Sequence, residues 1–155
     1  MVDASVALKW LFRSRDDEAD MAAALALLRG VLDERISLVQ PPHFIAEVCA
    51  VLARETPGEA AAALGDLLDI EMEIVGNEQV HRHAMVLSAE FEHHLFDTLY
   101  HAVALEDEQA VLVTADERYE RKARRAGRIV RLRDFSLPED VANRGSAGSE
   151  PQRRS

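Results

Sequence analysis

Four carboxylates stand at positions from which a folded chain could use them together. Asp3 follows the opening Met1-Val2, Asp97 opens the run FDTLYHAVAL, Asp116 follows the β-branched stretch in VLVTADERY, and Glu47 sits between Ala46 and Val48 in FIAEVCAVLAR. Each aspartate alone also fits a helix N-cap, worth about 1 kcal/mol, and Glu47 alone fits the solvated side of its helix. Capping leaves Glu47 without a task and does not account for the sequence around Asp97 and Asp116. Acids that converge in a low-dielectric crevice repel one another unless a cation neutralises them or their pKa values rise. An oxygen-only ligand set, with no histidine or cysteine spacing motif, selects Mg²⁺ or Mn²⁺ over zinc. One or two such ions, each keeping some of its waters, supply a hydroxide near neutral pH and neutralise charge on a phosphoryl oxygen, which is the chemistry of phosphodiester hydrolysis.

The elements that must carry these acids follow from periodicity and from turn residues. Val2 to Ser5 reads as a short buried strand running into a helix, Asp17 to Leu32 as a helix, and Ile36 to Gln40 as a strand stopped by Pro41-Pro42. A helix from near Pro42 places Phe44, Ile45, Val48, Val51 and Leu52 on one face, and Pro57-Gly58 ends it. Glu59 to Ile70 is predicted helical, Glu73 to Val75 a brief strand, and Asn77 the cap of a helix that ends near His93-His94. Asp97 then starts a helix, Ala110 to Thr114 forms a strand, and Asp116 starts an arginine-rich helix closed by Gly127. Ile129 to Leu132 is a candidate edge strand, and the chain from about Ser136 to Ser155 reads as a disordered tail. Strands alternating with helices imply a parallel sheet with helices on both faces, and the carboxyl ends of such strands form a ligand crevice.

The totals restrict the class. At 155 residues, with 48% hydrophobic and 30% charged residues, one soluble domain is expected. No window approaches the roughly 20 apolar residues of a membrane span, and Asp3 and Lys9 interrupt any signal-like start, so a cytoplasmic protein is expected. Cys49, the single cysteine, reads as a small buried residue. A net charge of -10 opposes broad nucleic-acid contact, yet Arg118 to Arg133 carries +7 and the remainder -17. Such a run is a solvated face or a phosphate-binding flank, and Arg118, Arg121 and Lys122 lie closest to Asp116. No two of the six histidines have the i, i+4 spacing of a helical zinc site. His101 could touch substrate but fits the surface or the core better, Trp10 and Tyr100 fit the core or an interface better than base-stacking platforms, and neither Ser5 nor Cys49 has a histidine-based motif for nucleophilic catalysis.

On the stretches VDASVALKWL, FIAEVCAVLAR, FDTLYHAVALE and LVTADERYERKA, the sequence resembles the PIN domain, and within it the VapC-like toxins of bacterial toxin–antitoxin pairs. The resemblance runs over 1–135 and leaves 136–155 outside it. It implies an α/β three-layer fold with a parallel sheet of four or five strands, and Mg²⁺- or Mn²⁺-dependent endoribonuclease activity. It matches Asp3, Glu47, Asp97 and Asp116 to an acidic quartet that binds the metal and carries catalysis, Thr114 to a hydroxyl position, and Ser5 to a small polar residue supporting the first aspartate. It also implies an RNA substrate, with Ser5, Thr114, Arg118, Arg121 and Lys122 as candidate contacts, a cognate antitoxin lying across the acidic groove, and a homodimer. Two other classes fit less of the sequence. A catalytically silent binding module would keep the pocket and lack turnover, and a receiver-like phosphoacceptor would need a lysine late in the sheet, where none follows Lys122.

Overall fold

The computed structural model describes residues 1–12 and 18–137. In chain order the elements are α1 (Ala4–Leu11), α2 (Glu18–Leu32), β1 (Val39–Gln40), α3 (Phe44–Glu55), α4 (Ala60–Leu68), β2 (Glu73–Ile74), α5 (Glu78–Phe91), α6 (Leu95–Glu106), β3 (Leu112–Thr114), α7 (Glu117–Ala123) and β4 (Ile129–Arg131). The helices fall close to where periodicity puts them. The strands are shorter than predicted, and the four- or five-stranded sheet resolves into two parallel pairs, β1 with β2 and β3 with β4. Val39 faces Glu73, and Leu112, Val113 and Thr114 face Ile129, Val130 and Arg131. Each pair is joined through helices, α3 and α4 in one and α7 in the other, as parallel strands require.

The N-terminal strand shrinks to a single parallel bridge, Val2 to Val113. The cause is Asp3, which caps α1 at once: its Oδ1 accepts from the Val6 N–H at 3.1 Å, so helix begins at Ala4. Backbone bonds from Val113 N to Met1 O (3.0 Å) and from Asp3 N to Val113 O (3.4 Å) still tie this end to β3. On its other side the buried Gln40 side chain accepts from Val2 N at 3.4 Å, so a side chain takes the place of a ladder bond between the N-terminus and β1.

α6 is buried on nearly every side, with Thr98 to Ala104 all out of contact with solvent. A helix that is apolar around most of its circumference has to lie inside, and α5 packs along it through Val80, Ala84, Leu87 and Phe91. The fully buried β3 places Thr114 at its carboxyl end beside the start of α1. His101, buried in α6, donates from Nε2 to Gly127 O (2.7 Å) and accepts the Tyr119 hydroxyl at Nδ1 (3.0 Å), which makes it a core residue.

Three smaller expectations change. Cys49 is partly exposed rather than buried. Leu137 falls within the stretch read as a tail, yet it is 5% exposed and its Cδ2 would lie 2.9 Å from a Cβ added at Gly30. The rest of the predicted tail, 138–155, lies outside the described residues. Among the described residues no helix is long and apolar enough to cross a membrane.

Candidate active site

Four different elements carry the four carboxylates. Asp3 caps α1, Glu47 lies in the first turn of α3, Asp97 is the third residue of α6, and Asp116 caps α7 by accepting from Arg118 N (2.8 Å) and Tyr119 N (2.9 Å). The capping expectation therefore holds for Asp3 and Asp116. It fails for Asp97, because α6 starts two residues earlier with His94 at its cap position. Cap and site are not alternatives at Asp3: one oxygen takes Val6 N–H and the Ser5 hydroxyl (2.5 Å), and the other takes the Thr114 hydroxyl. Thr114 Oγ1 also accepts from Asp116 N at 2.9 Å, so a single buried threonine links the first and last aspartates.

Glu47 does not point away into bulk solvent. Its Oε2 accepts from the buried Tyr100 hydroxyl at 2.7 Å, and its charge acts on both Asp3 and Asp97. Asp97 is also within reach of Asp116. Burial pushes the Asp3 carboxyl up to about 6, against the pull of the Ser5, Thr114 and Val6 hydrogen bonds, and Glu47 pushes it further. Burial likewise raises Asp97, where repulsion from Glu47 and Asp116 adds to it and His93 works against it. Desolvation combined with like charge is what makes this group of acids a candidate site. Such a set of hard oxygen donors fits a divalent cation. Among the described residues no three histidine, cysteine or carboxylate side chains stand close enough together to hold one ion directly. In this arrangement each acid is instead occupied by a hydroxyl, a backbone N–H or an imidazole.

The imidazole is that of His93, a residue expected only near the end of a helix. Its Nε2 stands 3.1 Å from Asp97 Oδ2 and 3.8 Å from Asp116 Oδ2, and its ring lies on Tyr119 at 4.5 Å between centroids. Tyr100, expected in the core or at an interface, and His43 also belong to the site's surroundings. His43 Nε2 lies 3.8 Å from Glu47 Oε2, and burial lowers the His43 pKa, so its ring is neutral and gives Glu47 no cation. The signal was available: His43 with Glu47 and His93 with Asp97 are both i, i+4, and a search for histidine pairs alone does not find histidine–acid pairs.

Most of the basic run turns away from this site. Lys122 Nζ donates to Phe91 O (3.1 Å) and Glu92 O (3.2 Å), closing the carboxyl end of α5 rather than facing a substrate. Arg124 pairs with Glu120, Arg125 with Glu90, Arg131 with Asp134 and Arg133 with Glu117, while Arg128 donates to the backbone carbonyls of Glu108 and Ala110. Arg118 and Arg121 remain, exposed on α7 and without a side-chain bond among the described residues. Ser5 and Thr114, also named as candidate substrate contacts, both donate to Asp3, which for Ser5 is the supporting place the resemblance implies.

The sequence model of the PIN domain matches residues 1–125 of this chain. No curated protein matches it.

Proposed function

The chain belongs to the PIN domain family, whose α/β fold is of nuclease type and whose members generally depend on a metal, and from that premise we propose that it is an Mg²⁺- or Mn²⁺-dependent endoribonuclease, the VapC-like toxin of a toxin–antitoxin pair. The observation that carries the reading is that Asp3 and Asp97 are both raised, first by burial and then by Glu47, the acid that acts on each of them. Negative charge gathered at that cost is useful when a cation joins it.

Asp3, Asp97 and Asp116 would hold the ion, with Glu47 binding a second ion or orienting the attacking water. A divalent ion there supplies positive charge to a phosphoryl oxygen and lowers the pKa of a nearby water. The chain's own groups prepare the place. Thr114 fixes the rotamer of Asp3 and the backbone of Asp116 together, Tyr100 sets Glu47, and His93 keeps Asp97 and Asp116 from spreading apart. Arg118 and Arg121 flank Asp116 and suit the phosphates of an RNA strand that the acids alone would repel.

As further partners we propose an antitoxin that inserts a basic side chain among the acids, and a second copy of this chain. The exposure of Met85 and Val86 on α5, 63% and 60%, supports a protein contact. A silent binding module is the second reading, favoured by the lack of three converged ligands among the described residues. The receiver-like alternative loses its lysine, since Lys122 caps α5.

The test is cleavage of RNA by purified protein. Cleavage should require Mg²⁺ or Mn²⁺, stop with chelator, and fall by roughly two orders of magnitude or more in Asp97→Asn. Cleavage unchanged by that substitution refutes the role of Asp97.

A further inference from the structure

The acids share their site with a row of aromatic rings for which hydrolysis has no use. Phe96 immediately precedes Asp97 at the start of α6 and is 50% exposed, although large apolar rings normally lie inside. The His43 ring stacks on it, with centroids 5.1 Å apart and planes 28° from parallel, and the exposed His94 ring lies 5.3 Å away. His43 in turn meets Tyr100 edge-on at 4.8 Å. Four rings thus run outward from the partner of Glu47 to the mouth of the site. α7, capped by Asp116, carries Arg118 and Arg121, both exposed and without a side-chain bond among the described residues. His93, 3.1 Å from Asp97 and 3.8 Å from Asp116, links the start of α6, where Phe96 stands, to the cap of α7.

Single-stranded nucleic acid has both complements, since it carries phosphates and flat apolar faces in alternation. We propose that Phe96, backed by His43 and flanked by His94, is the stacking subsite for one unpaired base of single-stranded RNA, next to the phosphate held at the carboxylates. Arg118 and Arg121 take the adjoining phosphates. This rests on the ribonuclease reading and adds to it a named base contact: a duplex keeps its bases stacked and offers Phe96 no free face. The His43 stack fixes the Phe96 ring before RNA arrives, which reduces the ordering cost of binding.

The experiment uses the full chain and labelled single-stranded RNA, with binding read by stopped-flow anisotropy before turnover and cleavage read separately. Phe96→Leu should weaken binding and raise KM by about 5- to 100-fold with kcat little changed, and Phe96→Trp should keep the wild-type values. RNA with an abasic residue at one position beside the scissile bond should cost the wild type a similar factor and cost Phe96→Leu nothing more, because one stack is lost only once. A folded Phe96→Leu that binds as tightly as wild type, or an abasic penalty that persists undiminished in it, overturns the subsite. Should the leucine variant not fold, the wild-type abasic series decides alone, and a series with no position-specific loss overturns the subsite. Binding that depends on Phe96 without any cleavage sinks the nuclease reading and keeps the subsite. Cleavage indifferent to Phe96 does the reverse, and a wild type that neither binds nor cleaves RNA sinks both.

Discussion

The acidic quartet and the basic run are the two charged regions of this chain, and the fold treats them oppositely. Asp3, Glu47, Asp97 and Asp116 are scattered through the sequence and brought together, where two of them resist ionisation. The eight cations from Arg118 to Arg133 are contiguous and are dispersed, six of them onto carboxylates or backbone carbonyls. Cations crowded along the chain point in different directions and find separate, mostly exposed partners, whereas acids that meet only through the fold do so at the cost of desolvation. Charge density along a sequence is therefore a weaker guide to where charge gathers in the fold than acids recurring at element boundaries.

Asp97→Asn set against Arg125→Ala is the largest-effect way to break that contrast. The first should abolish most RNA cleavage, and the second, which removes an exposed pair with Glu90, should change it by less than about fivefold. Equal losses would mean that the basic run is part of the site after all.

Acidity sharpens the contrast further. Asp3 is held at about 6 in the fold against its ordinary 3.8, so between about pH 4 and 6 the folded chain binds the proton more tightly than the unfolded one. Stability then falls as pH rises through that window and stays lower above it. In chelator, Asp3→Asn should escape this fall, melting a few degrees above wild type at neutral pH and showing no advantage at the acid end. A constant difference across the window would show that burial does not raise the Asp3 carboxyl.

The smallest expected effect is Lys122→Met. Losing its bonds to Phe91 and Glu92 should cost about 1 kcal/mol of stability, read as a lowered melting temperature, and leave KM for RNA unchanged. A raised KM would return Lys122 to the substrate side.

Much of this was legible beforehand, and what was not has physical reasons. Helix-period patterns located α2 to α6, and Asp116 announced its helix by a rule of local chemistry. Strand lengths were not readable, because Asp3 ends the first strand by capping, a competition between neighbours that β-propensity does not express. The four acids were legible because they sit at element boundaries or among apolar neighbours. Their supports were not: Thr114 reaches Asp3 across 111 positions and Tyr100 reaches Glu47 across 53, and such contacts carry no local period. His93 and His43 were legible in principle through their i, i+4 acids. Leu137 was misread as tail because one buried apolar residue in a polar stretch makes no pattern.

The central claim is that these acids are compatible only with a divalent cation among them, and titration calorimetry of Mn²⁺ into the chelator-stripped protein tests it most directly. Saturable uptake at or below millimolar concentration by the wild type, lost in Asp97→Asn, is the predicted result. A wild type that takes up no Mn²⁺ or Mg²⁺ at millimolar concentration contradicts it.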